Sequence, residues 1–147
     1  FNKTINVINI LLSNKGLSVS EIVELHNLLA LCYRKSVEFE NSKEYFLLAY
    51  KIADGAEEYY NQSISLINLG KIAYHELDWK EAYAWNKKAI GYLEKELAIS
   101  TDIDYKISIE LFIAEYHRLS AECLIWKMDL AHADEELMKV KNIYDRI

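Results

Sequence analysis

The sequence predicts an all-α fold, a row of stacked antiparallel helix pairs, and three observations carry that reading. Proline is absent from all 147 residues and glycine occurs only four times, so the usual helix breakers and hairpin punctuation are nearly missing. Apolar residues recur at intervals of three and four, as in Ile22, Leu25, Leu28, Leu29, Cys32 and Tyr33 and again in Leu66, Leu69, Ala73 and Leu77, and no period of two persists. Small residues recur in one register in three places, stepping by twelve and then by seven: Ala30, Ser42, Ala49; Gly70, Ala82, Ala89; and Ala121, Ala133, Val140.

The elements follow in order. Asn14-Lys15-Gly16 closes a first apolar segment, and Ser18 followed three residues later by Glu21 is the pattern of a capping box opening the next helix. Further breaks fall near Glu38–Asn41, Asp54-Gly55, Leu77-Asp78, Ser100–Asp104 and Met128-Asp129. The predicted helices are therefore 3–13, 19–37, 41–54, 58–76, 79–97, 104–127 and 131–146.

The register has a packing reason. A small first residue lets the second helix of a pair approach at the crossing, and the two small residues on that second helix make room for its own partner and for the next pair. Bulky residues fill the remaining gaps: the ninth residue after the first small one is Phe39, Trp79 and Leu130, and the sixteenth is Phe46, Asn86 and Leu137.

Composition excludes several function classes. At 52% hydrophobic and 27% charged residues the chain has the balance of a globular protein with a real core. No run of apolar residues reaches the roughly 18 of a membrane span. A net charge of −6 argues against direct nucleic-acid binding, which depends on clustered Lys and Arg displacing counterions. Cys32 and Cys123 lie in apolar helical pattern without a paired spacing, so they are expected as reduced, packed thiols in a cytoplasmic protein. The chain opens at Phe1, already inside a periodic apolar segment and without a signal-peptide pattern, which leads us to expect a piece of a longer chain.

The arrangement resembles the tetratricopeptide repeat, whose pattern runs Leu-Gly, an aromatic, Ala, an aromatic and a further Ala. The stretch NLGKIAYHELDWKEAYAWNKKAI, with Leu69-Gly70, Trp79, Ala82 and Ala89, carries the best match, and Leu29-Ala30, Ser42, Phe46 and Ala49 with Ala121, Ala133 and Leu137 carry the flanking ones. The resemblance implies a right-handed α-solenoid of about seven helices in one domain, with repeats at approximately 19–56, 58–97 and 104–147. His26, Leu66 and His117 replace the aromatic that precedes the small residue, Asn86 stands where a ring is usual, and the closing proline is missing. Successive units are spaced by 40 and 51 residues against about 34 in the family, so extended connections are expected. Units of about 40 residues are similar to those of bacterial peptide-pheromone receptors of the RRNPP type.

Catalytic signatures are missing. No glycine-rich phosphate loop exists, and Gly70-Lys71 falls inside a predicted helix. His75-Glu76 lacks the second His of a zinc-protease helix, and His26, His117 and His132 share no ligand spacing with one another or with a Cys. Neither a metal nor another cofactor is expected. The carboxylate pairs Glu57-Glu58, Asp102/Asp104 and Glu135-Glu136 are expected as helix starts and solvated faces. The chain is accordingly not expected to be an enzyme.

In such a stack the first helix of each pair lines the concave surface. Positions three before and one, four and five after each small residue then face the groove, which selects Asn27, Leu31, Arg34 and Lys35; Ile67, Lys71, Tyr74 and His75; and Arg118, Glu122, Ile125 and Trp126, with Asn68 beside them. Arg34, Lys35, Lys71, His75 and Arg118 make this face more cationic than the acidic whole. Asn27 and Asn68 suit peptide backbone amides, and Tyr74 with Trp126 suits an apolar side chain. Leu31 stands where the carboxylate clamp of chaperone-binding tetratricopeptide domains requires Asn, which argues against that clamp, whereas concave Asn side chains are what the pheromone receptors use. The reading that follows is a peptide- or protein-binding module, the sensing part of a bacterial transcriptional regulator. The alternative is a structural scaffold that self-associates as a homodimer through its terminal pair, about 104–146.

Overall fold

The computed structural model describes residues 1–147 and is helical throughout, with no strand. Seven helices run in order: α1 (Asn2–Leu12), α2 (Val19–Lys35), α3 (Phe39–Asp54), α4 (Tyr59–His75), α5 (Trp79–Ile99), α6 (Ile103–Trp126) and α7 (Leu130–Arg146). Each packs on the next, and α2 also reaches α4, so consecutive helices build a solenoid.

Helix starts are fixed locally. The Ser18 hydroxyl accepts from the Glu21 backbone N–H at 3.2 Å while the Glu21 carboxylate accepts from the Ser18 N–H at 2.8 Å, the reciprocal box that the sequence predicts. Asp78, Asp102 and Asp129 cap α5, α6 and α7 by accepting from the N–H groups of Glu81, Tyr105 and His132.

The turns inside the three pairs share one geometry. Val37, Leu77 and Met128 each sit seven residues after the small residue, each with φ between 62° and 64°. The following N–H reaches back across the helix end, from Glu38 to the Tyr33 carbonyl, from Asp78 to Ala73 and from Asp129 to Leu124, at 2.8–2.9 Å. This closure satisfies the terminal carbonyls that a helix end leaves open. Glu57 repeats it between α3 and α4.

The small residues do what their register requires. Ala30, Ser42, Ala49, Gly70, Ala82, Ala89, Ala121 and Ala133 are all buried, and the ninth member of the register, Val140 on α7, is half-buried. In the first pair the Ser42 hydroxyl donates to the Ala30 carbonyl at 2.7 Å, tying the crossing directly. In the second, a Cβ on Gly70 would lie 2.2 Å from Asn86 Oδ1 and 3.3 Å from the Ala82 carbonyl, so the glycine makes room for the buried Asn86 side chain and for a close approach of α5. Phe46 and Asn86, at equivalent repeat positions, are buried between neighbouring pairs, whereas their counterpart Leu137 on α7 is 42% exposed.

One core cluster joins Ala30, Phe46, Leu66, Leu93, Ile109, Ile113 and Ile143, spanning α2 to α7. The central helix α4 is buried on nearly every side and holds Asn61, Gln62, Ser63 and Ser65 inside. Each of these finds a partner, for example Ser65 on Asn27 Oδ1 at 2.8 Å and Gln62 on Asp54 at 3.0 Å. One expectation needs correction: the connections between pairs are not extended. They span only residues 55–58 and 100–102, and the added length sits in the helices, with 21 residues in α5 and 24 in α6.

Val37 is β-branched, 70% exposed and held in the left-handed region, a conformation that costs roughly 1–2 kcal/mol for an L side chain. Val37→Gly is therefore expected to raise stability by about 1 kcal/mol in urea unfolding, part of the relief being offset by glycine's greater unfolded-state freedom; a loss of stability would show that the turn is not strained.

Candidate functional site

Two pockets open on the face formed by α2, α4 and α6. The first, of about 300 Å³, lies between α2 and α4 and is lined by Asn27, Leu28, Leu31, Tyr60, Ile64 and Asn68 among others. The second, of about 210 Å³, lies about two helical turns further along both helices, between them and α5 and α6, and is lined by Arg34, Gly70, Lys71, Tyr74, His75, Asn86, Leu119, Glu122 and Cys123. Six of the nine predicted groove residues line these pockets, Asn27 and Asn68 the first and Arg34, Lys71, Tyr74 and His75 the second, and Trp126 stands outside the lining against Tyr74. Lys35 is exposed and close enough to raise the local positive potential at Lys71, as does Arg118.

The first pocket is a polar recess in an apolar frame. Asn27 is 7% exposed; its Oδ1 takes the Ser65 hydroxyl and its Nδ2 has no partner. Asn68 is engaged more locally than the sequence implies, because its Nδ2 donates to the Ile64 carbonyl one turn back at 2.8 Å. Its carbonyl oxygen forms no hydrogen bond within the chain.

The second pocket is cationic. Lys71 forms none of the chain's ion pairs, and burial together with the positive charges of Arg34, Lys35 and Arg118 holds its pKa below the usual lysine value against the opposing pull of Glu115. Arg34 is likewise unpaired, its Nε is buried without a partner, and burial lowers its pKa. Arg118 differs: it forks onto Glu115 at 2.6 and 2.8 Å and approaches Glu122 at 3.5 Å. An aromatic wall stands beside these cations. Trp126 Nε1 donates to the Tyr74 hydroxyl at 2.7 Å, that hydroxyl donates to Glu122 at 2.7 Å, and Trp79 stacks on Trp126 with ring centroids 5.6 Å apart.

Asn86 forms the floor. It is 3% exposed, its Oδ1 has no partner, and its Nδ2 faces only the Cys123 sulfur at 3.8 Å. Burial raises the Cys123 thiol to about 11, so it stays protonated and inert at neutral pH, as expected for a packed cysteine. Both cysteines are free, although Cys32 is only half-buried.

A buried charge cluster lies elsewhere, and here the expectation of a solvated Glu135-Glu136 pair fails for its second member. Glu136 is 3% exposed and His117 is 5% exposed, their side chains 2.5 Å apart, with Lys87 on the same carboxylate at 2.8 Å and Lys139 at 3.3 Å. The signal was present in the sequence: Ala133, Glu136, Val140 and Ile143 share one helical stripe, so the acid sits on the core-facing side of α7. Burial pushes Glu136 up, but Lys87 and His117 outweigh it and hold its pKa below the ordinary value. For His117 burial dominates, with Lys87 and Lys139 adding to it against the pull of Glu136, and its pKa is lowered. The side chains of His117, Lys87 and Lys139 also border a cleft of about 430 Å³ between α5, α6 and α7.

No group of acidic, His and Cys side chains is arranged to hold a metal ion, and no helix is long and apolar enough to cross a membrane. No family model and no curated relative matches the chain. Among solved structures it is similar to the crystal structure of BtubC (BKLC) from P. vanneervenii, with a TM-score of 0.50 over 97% of this chain and 71% of that one, at 13% sequence identity. At that identity the likeness bears on the fold alone, and it agrees with the helical stacking described above.

The buried pair makes stability pH-dependent in a defined direction. Below the ordinary histidine value of 6.5 the unfolded chain takes up a proton at His117 that the folded chain resists, so stability falls as the pH drops from 6.5 toward the lower folded value. Glu136 extends the loss below its ordinary 4.5. His132, raised by Asp129, has the opposite sign, its contribution being present below 6.5 and lost as the pH rises through its folded value. His117→Gln is therefore expected to flatten the pH dependence of urea midpoints between about pH 5 and 6.5; an unchanged slope would place its origin elsewhere.

Proposed function

We propose that this chain is a peptide-binding helical-repeat module of tetratricopeptide type, and that the face lined by α2, α4 and α6 holds an extended segment of another polypeptide. One observation carries the reading. Three buried side-chain atoms in the chain lack a hydrogen-bond partner, Asn27 Nδ2, Arg34 Nε and Asn86 Oδ1, and all three belong to residues lining the two pockets of this face. An unsatisfied buried polar group costs about 1–3 kcal/mol, and three on one surface are what a site looks like before its ligand supplies the missing partners. Backbone amides and carbonyls fit the Asn27 and Asn68 side chains, and the Tyr74–Trp79–Trp126 wall fits an apolar side chain.

The similarity of the repeats to those of peptide-pheromone receptors supports a narrower form of the proposal, the cytoplasmic sensing part of a bacterial transcriptional regulator that takes up a short peptide. The chain would then act through its ligand and not by touching nucleic acid itself, in keeping with its net charge of −6.

A second reading rests on α7. Leu130, Leu137 and Tyr144 are spaced by seven and all are more than 40% exposed, so they form one apolar stripe on the last helix. Such a stripe favours self-association through the terminal pair.

A peptide enriched from a random display library on the wild-type protein is expected to lose affinity by at least about tenfold on the Asn68→Ala, Lys71→Ala, Tyr74→Ala triple variant, measured by calorimetry. Retention of full affinity would remove the groove assignment. Sedimentation equilibrium separates the second reading: it requires mass to rise with concentration and to fall back in Leu137→Glu, and a strict monomer at high concentration rules it out.

A further inference from the structure

The second pocket has a chemistry more specific than a general peptide groove. We infer that it receives the carboxylate of an acidic residue in the bound polypeptide, with Lys71 and Arg34 as the charge partners and Asn86 as the floor. This rests on the peptide-binding reading for the identity of the ligand, but the preference for a carboxylate comes from the pocket itself.

Two cations share the site without a carboxylate of their own. The other unpaired basic side chains are exposed to solvent, apart from the half-buried Lys106, and the remaining basic side chains withdrawn from solvent have carboxylates: Lys43 has Glu40 and Glu76, and Lys87 has Glu136. Lys71 and Arg34 are adjacent, partly desolvated and mutually repulsive, an arrangement that gains stability from an anion and loses it without one.

The floor adds directed hydrogen bonding. The Asn86 amide now sets an unpartnered Oδ1 against Gly70 and a weak Nδ2 contact on sulfur. Turned over, the same amide accepts from the protonated Cys123 thiol and sets its N–H₂, in place of Oδ1, as the unpartnered group beside Gly70 in the pocket lining. The pocket then offers N–H donors from Asn86, Arg34 and Lys71, which is the donor set of a carboxylate site. The apolar parts of Leu119, Tyr74 and the Gly70 backbone accommodate a short methylene stem. Glu122 faces the same space, held by Tyr74 and Arg118. Its negative charge disfavours a dianion, so a carboxylate is preferred over a phosphate.

Three small probes test this on the intact chain: N-acetylglutamic acid α-amide, with only a side-chain carboxylate; N-acetylglutamine, with only a terminal one; and neutral N-acetylglutamine amide. Backbone N–H resonances of Gly70, Lys71 and Cys123 are followed by ¹H–¹⁵N spectroscopy. At least one carboxylate probe is expected to shift them saturably in the millimolar range, weakening with salt, and the neutral probe is not. The better of the two acids identifies the source, side chain or chain terminus. Lys71→Gln and Arg34→Gln are each expected to weaken binding by about tenfold, with the fold checked by circular dichroism. The inference is overturned if no acid shifts these resonances, if the neutral probe matches them, if inorganic phosphate binds more tightly, or if both variants bind as wild type. Acid binding without any peptide ligand would keep this inference and defeat the peptide reading; peptide binding indifferent to acidic residues would do the reverse.

Discussion

Everything in this molecule depends on how closely the two helices of each pair approach. Ala30, Gly70 and Ala121 stand at the crossings, and in the central pair even a methyl group on Gly70 would displace the Asn86 side chain and press on the Ala82 carbonyl. Dispersion and apolar burial fall off steeply once a gap opens, so a larger residue there would separate α4 from α5 and loosen both neighbours of α4. The helix most affected is the one that carries the most: α4 is buried on nearly every side and contributes residues to both pockets.

That same closeness creates the second pocket. Gly70 presents backbone where other helices present a side chain, and Asn86 occupies a position at which Phe46 fills the preceding pair with a ring. A ring at 86 would complete the core; an amide leaves space and a polar floor. Packing and the pocket are thus two results of one substitution pattern, and the departure of Asn86 from the repeat is where the pocket begins.

Charge is distributed on a similar principle. Glu136 is buried and matched by His117, Lys87 and Lys139, so its desolvation is offset by three partners. Arg34 and Lys71 are partly buried with no such match. The contrast is between two parts of one stack: among α5, α6 and α7 the fold satisfies a buried ion fully, and at Arg34 on α2 and Lys71 on α4 it does not.

The fold was legible because its cause is periodic. Helix spacing, the Ser18–Glu21 box and the register of small residues are all properties of the chain read in order, and each helix lies within two residues of its predicted bounds. The turns were not foreseen in detail, since Val37, Leu77 and Met128 are apolar residues in a conformation usually marked by glycine. Only their common distance from the small residues betrays them. The site was legible as a face but not as two pockets. Which of the face residues would be consumed internally, as Asn68 is by Ile64 and Arg118 by Glu115, depends on neighbours one turn away and on rotamers that spacing alone does not fix.

The separation of the pockets constrains what can occupy them together. Asn27 and Arg34 are seven residues apart on α2, two turns of one helix, or roughly 10 Å along its axis. An extended chain covers about 3.3 Å per residue, so one strand lying along α2 and α4 would set residues about three apart on the two sites. Backbone read at Asn27 and charge read near Lys71 then fix direction as well as register, because reversing the strand would put its acidic residue over the apolar frame of Leu28, Leu31 and Ile64. A ligand recognised in this way has a sense of direction that neither pocket alone could impose.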